Sequence, residues 1–210
     1  MITQRRRVLE GRKKLVIPAN GVYIEGLDGK VYSIYLNQGV DVWQSGKTAN
    51  SIIVASGDVK FRIALTQPSR MGVGHYSSTL ENYMTAITGE TAAKADYNGS
   101  GNTVNIMKSQ PSTNYAAGYC NGFTFPDGRT KGYLPSLGQL NLAYQNKYVI
   151  TLSLNRCGGT ALAQSYYWSS TFAGVNGGFR DCWELSWGDG GVNKDGLTVE
   201  GYVRPFADLT

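Results

Sequence analysis

The alternation of apolar and polar positions predicts short strands over the first third of the chain. Residues 15–18 and 21–25 read as strands, with Asp28-Gly29 between the second of these and a returning strand at 31–36. Asp-Gly readily takes the positive φ of a tight hairpin turn. Residues 52–55 and 59–65 follow, the latter alternating as a half-buried strand does. From 77 to 88 the period changes: Leu80, Tyr83, Met84 and Ile87 fall at helical spacing, with Gly89 beyond them. Gly99-Ser-Gly101 and residues 109–113 read as flexible connections, and 115–119 as a short helix before the turn Pro126-Asp-Gly128. A second long helix is expected from Pro135-Ser136 to about residue 152, with Leu137, Leu140, Tyr144, Tyr148 and Ile150 on its apolar side. Gly158-Gly159 ends it.

The last quarter is a terminal meander. Residues 166–171 and 182–187 read as strands, 172–178 as a Gly-rich loop, 189–191 as a hairpin turn and 201–206 as a closing strand. Two helices and antiparallel strands give an α+β fold. The expected organisation is a basic tail (1–15), a small β-rich module (16–57) and a larger ligand-binding domain (58–210), the strand after residue 57 being open to either unit.

Composition sharpens the picture. The chain carries 27 Gly, 14 Tyr and 4 Trp, a mixture that suits a loop-rich scaffold presenting rigid amphipathic side chains. The net charge of +5 is concentrated in Arg5, Arg6, Arg7, Arg12, Lys13 and Lys14. No aromatic residue interleaves with these cations, so a solvated tail or docking peptide is preferred to specific nucleic-acid binding. The start shows neither the apolar stretch of an export signal nor a membrane span, and membrane insertion is not expected. Synthesis in a reducing cytoplasm makes buried thiols the default for Cys120, Cys157 and Cys182, one disulfide staying open.

Catalytic signatures are absent: there is no GxSxG, Walker A, HExxH or Rossmann fingerprint. His75 follows Gly72-Val-Gly74 with no evident nucleophile, and a lone His of this kind is usually structural. With a single His and no CxxC pair, zinc is set aside. The pairs Asp181 with Glu184 and Asp189 with Asp195 suit solvated turn residues better than hydrolysis. Asp189, Asn193 and Asp195 miss the EF-hand spacing, which leaves calcium a minor reading and no metal or cofactor expected. Trp168 and Trp183 read as core. The mixed small residues between the tryptophans are of the kind that bind when held by a rigid sheet.

Four blocks in order then carry a resemblance: Gly132-Tyr-Leu-Pro-Ser-Leu-Gly138, Tyr167-Trp-Ser-Ser-Thr171, Cys182-Trp-Glu-Leu-Ser-Trp187 with Asp189-Gly190, and Tyr202-Val-Arg-Pro-Phe206. With Gly21-Val-Tyr-Ile24 and Phe61-Arg-Ile-Ala-Leu65 upstream, they resemble the YWSST…RVRPF family of phage and bacterial proteins over roughly residues 20–206. The family includes variable proteins of diversity-generating retroelements, in which a reverse transcriptase rewrites adenines near the 3′ end of the gene. The resemblance implies a C-type-lectin-like fold and a non-enzymatic, receptor-binding role, as in phage-tail or prophage host attachment. Partners would be a host-surface protein or glycan and tail or fibre components, with homo-oligomerisation allowed, and the virion tail as final location. Trp168, Trp183, Trp187 and Arg204 would be scaffold. The ligand-binding, variable positions would be Phe172, Ala173, Gly174, Val175, Gly177, Phe179, Asp181, Ser186, Gly188, Asp189, Gly191, Asn193, Asp195, Gly196, Leu197, Val199, Gly201 and Tyr202. Tyr202 departs from the family's usual Arg, Glu184 and Glu200 are not reached from an Asn codon alone, and the EPN and QPD sugar signatures are absent. Alternatives are a non-diversified fibre or adhesin domain, or an enzyme of the formylglycine-generating type, whose RGGSW motif is missing.

Overall fold

A computed structural model describes residues 15–36, 38–76 and 78–209, so the basic tail up to residue 14 lies outside it. The fold is mixed α+β. Five strands come first: β1 (Asn20–Gly26), β2 (Val31–Ser33), β3 (Asp41–Val42), β4 (Ala49–Ser56) and β5 (Val59–Ile63). Helices α1 (Glu90–Lys94), α2 (Gly99–Ser109), α3 (Ala116–Gly122), α4 (Leu137–Gln145) and α5 (Lys147–Cys157) follow. The chain closes with β6 (Tyr166–Asn176), β7 (Phe179–Ser186), β8 (Val192–Gly196) and β9 (Phe206–Asp208).

Two sheets form, ordered β3-β2-β1-β4-β5-β9 and β6-β7-β8. Only β2–β3 is parallel among the named pairs. The period-2 pattern explains the larger sheet. Val22, Ile24, Ile52, Val54, Phe61 and Ile63 face the main core, where α5 packs on β1 and β4. Tyr23, Val31 and Ile53 face the other way. On that second face Arg62 Nε lies 2.8 Å from Glu25 Oε2, and Asn50 and Ser51 also donate to that carboxylate. Arg62 Nη1 donates to the Asp208 carbonyl at 2.6 Å, tying β9 to β5. The division expected at residue 57 falls in the β4–β5 hairpin. The strands of 16–57 share one sheet and one apolar core with the C-terminal strand, so the sheet joins the two expected units.

Several elements differ from expectation. Residues 15–18 form no strand; Leu15 and Ile17 pack on the second face while Val16 is exposed. The expected helix at 77–88 is reduced to a 3₁₀ turn at Leu80–Asn82, residue 77 lying outside the described set. The β6-β7-β8 sheet takes the backbone instead: Ile87 N donates to Phe172 O at 2.9 Å, and Trp183 Nε1 donates to Ile87 O at 2.7 Å. Gly99-Ser-Gly101 is the first turn of α2, not a flexible link. A Cβ at Gly99 would sit 2.3 Å from Gln139 Oε1, so glycine there permits close packing on the start of α4. The long helix expected from 135 is two helices rather than one. At Asn146 the side-chain amide donates to Leu142 O at 2.9 Å, and an Asn competing for backbone in this way interrupts a helix. Five α-helices thus form where two longer ones and the short one at 115–119 were expected; α3 matches the short one, and Tyr148, 79% exposed, is not on the buried side. Residues 172–178 are largely strand. β6 continues to Asn176 and turns at Gly177 (φ 56°) and Gly178 (φ 87°), a two-residue hairpin turn with both central residues left-handed. The expected 201–206 strand forms only bridges until β9 begins at Phe206.

Candidate functional site

The three-stranded sheet lies between two apolar clusters. Tyr167, Ala173, Trp183, Leu185 and Trp187 join the main core. Trp168, Phe172 and Cys182 face a second cluster with Leu197 and Val203. Hydroxyls of the Tyr167-Trp-Ser-Ser-Thr171 block tie this sheet together and to the helical layer: Ser169 Oγ donates to Trp183 O of β7 at 2.6 Å, and Thr171 Oγ1 donates to Asp96 Oδ2 at 2.7 Å and accepts from Leu137 N of α4 at 2.9 Å. Ser170 N donates to Pro135 O at 2.7 Å, so two of the sequence blocks meet in space.

The four residues expected as scaffold are all buried: Trp168, Trp183, Trp187 and Arg204. The Trp168 indole N–H reaches Val199 O at 3.1 Å. Arg204 donates to Ala64 O (3.1 Å) and Thr160 O (2.7 Å), and burial pulls its pKa down to about 10.

Among the expected contact residues, Phe172, Ala173, Ser186, Leu197 and Gly201 are buried and leave the candidate surface. The side chains of Phe172, Ala173 and Leu197 fill the two clusters, Gly201 packs its backbone over Trp168, and Ser186 is buried at the end of β7. The others separate into three groups. Gly174, Val175, Gly177 and Phe179 make the β6–β7 tip, where Val175 and Phe179 are 50% and 64% exposed. Gly188, Asp189 and Gly191 form the turn at the other end of β7, against α4 and α5: Lys147 Nζ donates to Gly188 O at 3.0 Å. At about 3.3 Å per residue, β7 sets these two turns roughly 23 Å apart. They are separate surfaces. Between them lie Asp181, Asn193, Asp195 and Gly196 on β7 and β8, with Val199 and Tyr202 on the following segment.

The middle group has the more developed electrostatics. Cross-strand pairing sets Asp195 opposite Cys182 and Asn193 opposite Glu184. Asn193 Nδ2 donates to Glu184 Oε1 at 3.2 Å. Burial first, then Asp195, raise the pKa values of both Glu184 and Asp181, while at Glu184 the hydrogen bond from Asn193 and, less, Arg70 oppose the shift. The structure thus brings Asp181 and Glu184 toward Asp195, whereas Asp189 is engaged in its own turn through Gly191 N. Arg70 was not legible in the sequence as a neighbour of this face. Its guanidinium donates to Glu200 O and lies 5.9 Å from the Tyr202 ring. Glu81, likewise unsignalled, anchors the tip by pairing with Arg180. Among the described residues no group of three or more His, Cys, Asp or Glu is placed to hold a metal ion.

Glu184 gives a pH prediction. The folded chain holds its proton more tightly than the unfolded chain, so this group's stabilising contribution is present at low pH and is lost as pH rises past 4.5. Glu184→Gln is expected to match the parent in acid and exceed it in stability at neutral pH. Urea unfolding at several pH values checks this, and a gap that does not widen with pH contradicts it.

The three thiols do not suggest nucleophiles. Cys120 and Cys182 are fully buried, Cys157 partly, and burial pushes all three up, away from the thiolate. His75 is exposed and its ring lies 4.0 Å from that of Tyr76; its backbone N–H donates to Gln110 Oε1 at 2.7 Å. No helix among the described residues is long and apolar enough to cross a membrane. The chain matches no family model, no curated protein and no solved structure.

Proposed function

We propose that the chain is a non-enzymatic ligand-binding protein that displays a diversified surface on a C-type-lectin-like scaffold, as a phage-tail or prophage component attaching to a host-surface protein or glycan. One observation carries this reading: the positions that the sequence resemblance marks as frame are buried, while all but Phe172, Ala173, Ser186, Leu197 and Gly201 of those it marks as variable reach the surface. A rigid, doubly packed sheet with mixed small residues at its ends and edge tolerates substitution there at small cost in stability. Weak sites of this kind gain strength when several copies bind together, which suits a fibre-mounted oligomer.

Sequencing the DNA around the gene tests the proposal. A reverse transcriptase and an adenine-rich near-copy of codons 166–206 are expected nearby. Sibling copies should differ at Val175, Phe179, Asn193, Asp195 and Tyr202 while keeping Trp168, Trp183, Trp187 and Arg204. Absence of both genetic elements, with sibling differences scattered over the whole chain, would leave a non-diversified fibre or adhesin domain instead.

A further inference from the structure

A second block of the sequence, Gly132-Tyr133, lies outside the variable surface and lines an open depression of about 410 Å³. That volume is within the range of small-molecule sites, ~300–1,000 Å³. Its wall includes Ser100 and Val104 of α2, Asn121 of α3, and Arg129, Lys131 and Asp208 from the segments beside them. None of these belongs to the three surface groups described above.

We infer that this depression binds an acidic sugar residue, with Arg129 and Lys131 on its carboxylate and Asp208 on its hydroxyls. Neither cation forms an ion pair among the described residues. Asp127, the carboxylate nearest Arg129 in sequence, is already occupied: it accepts from Arg129 N (2.8 Å), Thr130 N (2.8 Å) and Thr130 Oγ1 (2.6 Å). Among the described residues Lys131 Nζ donates to a neutral hydroxyl, Thr124 Oγ1, at 2.6 Å. Two cations beside a concave surface favour an anion, and the planar Arg fork suits a carboxylate.

Asp208 narrows the class. Tyr133 OH donates to Asp208 Oδ1 at 2.9 Å and itself accepts from Gln139 Nε2 at 2.8 Å, so the carboxylate is held by a chain of buried groups. A fixed acceptor at the rim repels a bare phosphate but receives hydroxyl donors. Val104, 51% exposed, offers apolar surface for the C–H face of a pyranose ring. Gly132 keeps this wall close to α3, because a Cβ there would meet Cys120 O at 2.7 Å.

The test is an NMR titration of the full chain with glucuronate, with glucose and inorganic phosphate as comparators, in the parent, in Arg129→Gln/Lys131→Gln and in Asp208→Asn. Glucuronate is expected to give saturable shifts around residues 100–104, 121 and 129–133, and to bind more tightly than either comparator. The double variant should lose about tenfold or more in affinity, the worth of one charge-assisted hydrogen bond. Asp208→Asn should weaken glucuronate while strengthening phosphate. The inference is overturned if glucuronate gives no saturable shifts there, if glucose binds equally well, or if the double variant binds as the parent does. Phosphate binding as strong as glucuronate in the parent also overturns it, because the pocket then reads charge alone.

Discussion

Trp168→Ala is expected to lower the free energy of unfolding by about 3–5 kcal/mol, the usual cost of truncating a buried aromatic side chain. The indole is fully buried in the second apolar cluster, its N–H is bonded to Val199 O, and Gly201 packs so closely on it that a Cβ there would lie 2.7 Å from Nε1. Removing it opens a cavity and releases residues 197–202, which carry Val199 and Tyr202 of the middle surface group. Against a typical total of ~5–15 kcal/mol, that loss is a large fraction of the stability of the fold. Trp168→Phe should cost less, roughly 1–2 kcal/mol, since most of the volume remains and one hydrogen bond is lost. Phe179→Ala, at the exposed hairpin tip, should change stability by no more than ~0.5 kcal/mol. Urea unfolding of the three variants decides the matter. Equal losses at Trp168 and Phe179 would remove the distinction between frame and surface on which the binding proposal rests.

How much of this was legible beforehand follows from the range of the interactions involved. β5 and the two hairpin turns at Gly29 and Gly190 are local: alternation at Val59–Ile63 and glycines with φ of 73° and 80° dictate them without help. Trp168 and Trp183 read as core from their size, whereas Trp187 was marked as frame by the resemblance; all three are buried. The helix expected at 77–88 failed because Ile87 bonds to Phe172 and Trp183, partners more than eighty residues away that periodicity does not reveal. Gly99 read as flexible for the same reason, since the contact that requires a glycine is with Gln139 of another helix. In the candidate site, the exposed hairpin residues were readable from composition. The burial of Phe172 and Ala173 was not, because β6 runs five residues beyond its expected end and carries them into the two clusters. The depression lined by Ser100, Arg129 and Asp208 left no pattern in the sequence, being assembled from segments far apart along the chain.

Arg204→Met is expected to destabilise the protein by about 2 kcal/mol, and Arg204→Ala by about 4 kcal/mol once the stem's packing is also lost. Two effects oppose each other here. Burying the guanidinium is costly: desolvation pulls its pKa down from the ordinary guanidinium range to about 10, which corresponds to roughly 3 kcal/mol against the charged form. In its favour, the same group donates to Ala64 O and Thr160 O, and bonds from a charged donor contribute about 1.5–3 kcal/mol each. At the lower end of that range the two bonds match the cost, and above it they exceed it. They also join the end of β5, the loop after α5 and the C-terminal segment, where Thr160 N donates to Leu65 O at 2.8 Å and Ala64 N to Pro205 O at 2.9 Å. Methionine keeps the apolar stem but leaves both carbonyls without this donor. Lysine should fail as well, since one ammonium on a flexible stem does not reproduce the planar fork. The pH dependence has a definite sign: burial lowers the folded-state pKa, so in strong alkali the folded chain releases this proton before the unfolded chain does and the group's contribution to stability rises there with pH. Denaturant titrations of the Met, Ala and Lys variants at neutral pH are the measurement. A Met variant as stable as the parent, or more stable, would mean that desolvation outweighs the two carbonyl bonds and that Arg204 does not hold the frame together.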